Sequence, residues 1–324
     1  MTKAIVIHQQ GGTDVMKWED SDPGDPGAGQ VRIKHTAVGL NYIDVLHRDG
    51  TYPFETPGTF GIEGSGVVEA LGDGVDEFSV GQRVAYGVAP PGAYAEARLI
   101  PAARIVALPD AIDDNTGAGM MLKGITAQYL IRRLHKVKAG DTVLFHAAAG
   151  GVGLIACQWL KHLGVTVIGT VGSDEKAEIA KAHGCDHPVV YTRDSFVDKV
   201  KEVTDGKGVP VVYDSVGKAT IDDSLDCLAL RGLLVNFGFA SGMPGPFDLG
   251  ALAAKGSLFI TRPTVVGYTS TREELLESTN DLIDVVTSGA VKIEINQTYA
   301  LKDAVQAHTD LEGRKTTGSS VLLP

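Results

Sequence analysis

The chain has 324 residues, 40 of them glycine, and a formal charge of −11 at pH 7. That length accommodates two domains with substantial cores, and the many glycines beside only 9 Tyr and 9 Phe suit an α/β protein rich in tight turns. The negative charge argues against nucleic acid as a partner, and no apolar run approaches the roughly 18 residues that a membrane span needs.

In chain order, the N-terminal MTKAIVIHQQGG reads as an opening strand rather than a signal peptide. Residues 1–122 read as mostly β: short runs at 4–7, 31–35, 66–71 and 83–86 are separated by Gly, Pro and Asp turns. The stretch DPGDPGAGQ, Asp22 to Gln30, is a loop by composition. From Lys123 to Thr264 the texture changes to alternating helix and strand. Runs at 143–145, 165–169, 189–191, 211–213 and 233–237 recur at intervals of roughly 22 residues, which suits βα units and hence a parallel sheet. Beyond Pro263, a helix at 272–287 leads to short terminal strands. The three cysteines, Cys157, Cys185 and Cys227, are far apart with no CxxC spacing, as expected of reduced core thiols in a cytoplasmic protein.

The stretch DTVLFHAAAGGVGLIACQWLKHLG, from Asp141 to Gly164, carries the strongest chemical signal. An apolar strand runs into a small-residue turn and then into a helix. That is the context of a dinucleotide fingerprint, although Ala148 stands in its first position, giving A-x-G-x-x-G. Gly150, Gly151, Val152 and Gly153 would receive a pyrophosphate at the helix N-terminus, where free N–H groups and the positive dipole end favour anions. Side chains at Gly150 or Gly153 would obstruct that approach.

The second strand of this region runs into Val171-Gly172-Ser173-Asp174-Glu175-Lys176. An NAD site usually places an acid near this strand tip, to accept hydrogen bonds from the ribose hydroxyls. Here the tip is small and neutral, at Gly172 or Ser173, and Lys176 follows within a helical turn. A hydroxyl and an ammonium suit a phosphate dianion, and Tyr191 could add a phenol donor, so NADPH is the expected cofactor. Asp174 and Glu175 would reverse that preference if they turned inward; otherwise they cap the following helix.

Several segments together resemble the zeta-crystallin-like quinone oxidoreductases of the medium-chain dehydrogenase/reductase superfamily, especially the bacterial NADPH:quinone reductases. They are GLNYIDVLHRDGTYP (Gly39 to Pro53), GIEGSGVVEALGDGV (Gly61 to Val75), LFHAAAGGVGLIACQWLK (Leu144 to Lys161), VVYDSVG (Val211 to Gly217) and KGSLFITRPTVVGY (Lys255 to Tyr268). The resemblance spans the chain. It implies an α/β fold in which a GroES-like β domain, 1–122 completed by 265–324, joins a Rossmann domain, 123–264, with a doubly wound parallel sheet. It also implies a cleft site and a homodimer or tetramer joined through the Rossmann sheet edge.

The resemblance further implies that Asn41, Tyr42 and Asp44 lie beside the nicotinamide, Asn41 bonding a carbonyl as it gains charge. Asp44 would orient Asn41 or a ribose hydroxyl, or simply start a helix. Tyr52 could stack on a flat ring and lend a proton, or be a turn tyrosine before Pro53. Val216 would touch adenine or ribose; Phe237, Ser241 and Gly242 would lie nearer the nicotinamide. Tyr129 and Arg314 are further carry-overs, with Arg314 reaching the cofactor phosphates or standing as a solvated loop cation. Leu46 stands where bacterial relatives can have a tyrosine.

Alcohol dehydrogenases of the superfamily bind zinc through a Cys near position 40 and a His in G-H-E. This chain has Asn41 and Gly61-Ile62-Glu63, with no cysteine before Cys157. No zinc site is expected, which favours an acceptor such as a quinone that needs no Lewis acid. The alternatives are an NADPH-dependent enone or alkenal reductase, or an RNA-binding or lens-type structural protein. The net charge and the lack of a basic stripe argue against RNA.

Overall fold

The computed structural model describes residues 1–324, which form two compact units. One is Met1–Ile125 with Thr269–Thr287 and Ile293–Pro324; the other is Thr126–Tyr268 with Ser288–Lys292.

The first unit is built on strand Gln30–Leu40, which pairs antiparallel with Gly64–Leu71, Ala97–Pro101 and Ser319–Leu323 in a seven-stranded sheet. Val31 and Ile33 alternate inward, as a sheet with one core face requires. They meet Ile5, Phe60 and Tyr94, and also Leu301 and Leu322 of the returning C-terminal segment. Helix Tyr42–Asp49 follows this central strand and ends at Gly50, whose φ of 90° is the left-handed stop that glycine adopts without strain.

The texture change read at Lys123 begins earlier: helix Asp114–Gln128 starts within the segment read as β. Its glycines punctuate a sequence pattern, yet here they serve close packing. A Cβ on Gly119 would fall 2.4 Å from Ile295, and one on Gly124 would fall 2.4 Å from Leu282.

The second unit holds a six-stranded, all-parallel sheet. Its strands, along the chain, are Thr142–Phe145, Thr166–Val171, His187–Val190, Val209–Asp214, Leu228–Asn236 and Phe259–Thr261. They lie in the order 3-2-1-4-5-6, a doubly wound arrangement. The last strand was not among the expected ones; it is short and at the edge, and Phe259 is exposed. The central strands are apolar because a parallel sheet is covered on both faces: Leu144, Ile168, Val212 and Leu234 are all fully buried. The order reverses between Thr142–Phe145 and Val209–Asp214, the switch point where α/β sheets bind ligands at their carboxyl ends.

Candidate active site

In the second unit, strand Thr142–Phe145 leads through Ala147, with φ of 55°, to Gly150, the N-cap of helix Gly151–His162. No side chain caps this helix, so its first N–H groups remain available to an anion. The two key glycines differ. A Cβ on Gly153 would fall 2.3 Å from the Ala147 carbonyl oxygen, so packing inside the turn already demands glycine there. On Gly150 the nearest atom, again Ala147 O, would be 3.2 Å away.

The tip of the neighbouring strand settles where the two acids go. Ser173 caps helix Asp174–Ala182, accepting from the Lys176 backbone N–H at 3.4 Å. Glu175 is drawn to its own backbone N–H and to the Ser173 hydroxyl, which together hold its carboxyl below the usual range. Asp174 is gripped by Arg193 through two hydrogen bonds of 3.1 Å, and Arg193 also reaches Asp194. Sequence reasoning missed Arg193; the only available signal was a cation just beyond the third strand. Tyr191 donates its backbone N–H to Val171 O at 3.1 Å, which brings it beside the Val171–Ser173 tip.

At the end of the fourth strand, Asp214 is another residue the sequence reading passed over. It is fully buried and accepts from the N–H groups of Val216 (2.7 Å) and Gly217 (2.9 Å) and from the Thr220 hydroxyl. Those bonds pin the Val216 turn. Ser241 ties a second turn to it, donating its hydroxyl to Val216 O at 2.7 Å and accepting from Ala219 N–H. Gly242, at φ of 108°, accepts from Lys218 N–H through its carbonyl. Val216, Ser241 and Gly242 are thus brought together. Phe237 lies just past the fifth strand, its ring 5.8 Å from that of Phe145. Tyr129 is buried and stacks on Tyr268 at 4.6 Å, and burial raises its phenol pKa.

In the first unit, Asn41 is the N-cap of helix Tyr42–Asp49, and Asp44 accepts the Asn41 backbone N–H at 2.9 Å. Asp44 thus sits in the first turn of the helix and ties down the Asn41 backbone. The Asn41 side-chain amide donates to Glu63 Oε2 at 2.7 Å. Glu63, fully buried, also accepts from Lys123 Nζ at 3.0 Å and from the Leu122 N–H at 2.7 Å. Lys123, itself nearly buried, is thus the charge partner of Glu63. Gly39 makes room for this cluster, since a Cβ there would fall 2.2 Å from Glu63 Oε2. Burial pushes the Asp44 carboxyl up to about 7, against the lowering effect of the Asn41 N–H, the Tyr94 hydroxyl and the Lys123 charge.

Tyr52 lies beyond the same helix, its backbone N–H on Leu46 O and its ring 6.1 Å from His47. Tyr42 is partly exposed, with Glu312, Asp49 and Arg314 among the charges acting on it. Arg314 sits in a left-handed turn at φ of 57°.

A family described as "Alcohol dehydrogenase GroES-like domain" matches residues 27–110, and one described as "Zinc-binding dehydrogenase" matches residues 151–288. The chain is 50% identical over 325 residues to a quinone oxidoreductase of Pseudomonas aeruginosa, covering 100% of both. It is 48% identical to a 2-haloacrylate reductase of a Burkholderia species, covering 100% of this chain and 99% of that protein. The structure of Escherichia coli quinone oxidoreductase complexed with NADPH superposes with a TM-score of 0.97 at 44% identity, over 99% of this chain and 100% of that one. No group of three or more His, Cys, Asp or Glu side chains is placed to hold a metal. The acid nearest such a role, Glu63, is taken up by an amide, a backbone N–H and an ammonium. With full-length identities of 44% to 50% to several bacterial members, the chain belongs to the quinone oxidoreductase family of the medium-chain dehydrogenase/reductase superfamily.

Proposed function

We propose that the protein is a zinc-independent NADPH:quinone oxidoreductase. The observation that carries this reading furthest, beyond family membership, is the state of Asn41. Its amide is fixed on a buried Glu63–Lys123 pair, in the segment where the superfamily's alcohol dehydrogenases have a zinc ligand. One amide N–H is committed to Glu63, leaving the other to steady a carbonyl oxygen that gains negative charge. Quinone reduction asks for little more than this and a well-placed donor, because the acceptor already takes hydride readily.

NADPH, when bound, supplies the hydride. The Gly150–Gly153 turn and its helix N-terminus suit the pyrophosphate. Ser173, Lys176 and Tyr191 suit the 2′-phosphate, with Asp174 neutralised by Arg193. Val216 would border adenine or ribose, and Phe237, Ser241 and Gly242 the nicotinamide side. Tyr42, Tyr129 and Arg314 would complete the cofactor set, and Asn41, Asp44 and Tyr52 would serve the chemistry. A homodimer is supported by the outer edge of strand Phe259–Thr261, where Phe259 is 59% exposed. A cytoplasmic setting is supported by three free, buried cysteines. No helix is long and apolar enough to cross a membrane.

A second reading, reduction of a polarised alkene, is favoured by the likeness to the 2-haloacrylate reductase. It needs a proton at the α-carbon, and so a donor such as Tyr52. The deciding experiment measures initial rates with NADPH and NADH on a small para-quinone and on a 2-haloacrylate, after exhaustive chelation. Rapid NADPH-selective quinone turnover that survives chelation is the expected result. Turnover confined to the alkene replaces the substrate class, and loss on chelation overturns the metal-free reading.

A further inference from the structure

A buried polar line runs from Arg48 to Asp44, the acceptor of the Asn41 backbone N–H. Arg48 and Glu312 form a two-fold pair, with both N···O distances at 2.9 Å, and Arg48 Nη1 also lies 3.1 Å from His308 Nδ1. A guanidinium only donates, so His308 Nδ1 is the accepting nitrogen and the ring proton sits on Nε2. Nε2 is 3.0 Å from the Tyr94 hydroxyl, which in turn donates to Asp44 Oδ2 at 3.1 Å. Each polarity therefore follows from the one before it, from Arg48 through His308 and Tyr94 to Asp44. Arg48 is 2% exposed and the other three 0%. Phe60 walls the chain with an apolar face, 4.6 Å from Tyr94 and 5.6 Å from His308.

We propose that Arg48, His308 and Tyr94 are positioning residues of the reductase, a one-way hydrogen-bonded chain that holds Asp44 as acceptor and sets the charge carried beneath Asn41. Asp44 Oδ2 receives two donors, the Tyr94 hydroxyl and the Asn41 backbone N–H, while Oδ1 is buried without one. The charged groups acting on it are Lys123, which favours the carboxylate, and Glu63, which opposes it. Tyr86, held by His35 and reached by Arg98, lies within range of the Glu63 and Asp44 carboxylates. Burial makes the carboxylate costly, so each donor counts towards its ionisation. Neutral His308, denied a proton by burial and by the Arg48 charge, passes the Arg48 polarity on without adding a charge of its own.

The quinone reading enters only through the activity readout, so two measurements separate the failures. The first is infrared titration of the Asp44 carboxylic acid carbonyl in the full-length protein, identified as the band missing in Asp44→Asn. The second is the pH profile of kcat with NADPH and the para-quinone. Tyr94→Phe removes a donor to the carboxylate, so the infrared midpoint should rise by about one pH unit and the kcat profile should move with it. His308→Leu, which leaves Tyr94 and Asp44 in place, should shift both in the same direction by less. A midpoint unmoved in a folded variant overturns the chain. A midpoint that moves while the kcat profile stays put overturns the positioning role. If wild type turns over no quinone, the substrate reading fails, and the profile is taken on the alkene instead.

Discussion

Arg193 holds Asp174 with two hydrogen bonds of 3.1 Å each, and in doing so neutralises a carboxylate that directly follows Ser173. An acid at this strand tip is what NAD-selective sites use to repel a 2′-phosphate. Arg193→Ala should therefore cost NADPH more than NADH, lowering the kcat/KM ratio roughly tenfold through the loss of a charge-assisted pair. Asp174→Asn in the same background should restore the ratio. Because both side chains are solvated, thermal stability should hold in every variant. Initial rates with the two cofactors decide this, and an unchanged ratio in Arg193→Ala removes Arg193 from the specificity argument.

Glu63 and Lys123 make a different kind of pair, buried and 3.0 Å apart. Removing one member of such a pair strands the other charge in the interior. Lys123→Met should cost about 3–5 kcal/mol, most of it recovered when Glu63→Gln is added. Urea denaturation of the two variants tests this; equal stability of the single and double variants contradicts it.

The contrast between these two pairs shows what a single chain could reveal. The turn from Ala147 to Gly153 is local, and its strand–turn–helix pattern marks it whatever the tertiary structure. Asp174 and Glu175 posed a question that local pattern could not answer, because the answer lay in Arg193, across the next strand. Lys123 sits inside a glycine-containing helix that sequence texture blurs into a boundary, and only the fold brings it to Glu63. The same holds for Asp214, whose anchoring of the Val216 turn is a matter of bonds rather than composition. Tyr94 and His308 never stood out, since neither lies in a motif; the fold brings them together from distant parts of the chain.

The glycine turn itself offers a test that separates packing from cofactor approach. Gly153→Ala places a Cβ 2.3 Å from Ala147 O, so the turn must shift and stability should fall by a few kcal/mol even without cofactor. Gly150→Ala meets nothing closer than 3.2 Å, so the fold should survive while NADPH binding weakens. Thermal denaturation with and without NADPH, beside calorimetric binding, reads both. If Gly150→Ala binds normally, the pyrophosphate does not need the space at that position.

Stability against pH should carry the signature of three buried groups with opposing signs. Burial pulls His35 down to about 4 and His308 to about 3, from 6.5 when unfolded. As pH falls below 6.5 the unfolded chain takes up protons that these histidines refuse, so stability drops through that window, by about 3 kcal/mol for His35 at the limit. Asp44 works the other way. Its native value of about 7 lies above the unfolded 3.8, so between those values the native state holds a proton that the unfolded chain has lost. That contribution grows as pH falls below 7 and disappears as pH rises through it. Asp44→Asn removes the offset and should sharpen the acid loss: its stability relative to wild type should worsen by about 2 kcal/mol between pH 7 and pH 5. Urea midpoints for the two proteins at those pH values measure the difference directly. A difference independent of pH would mean that Asp44 stays ionised in the fold, and that Tyr94, Asn41 and Lys123 outweigh its burial.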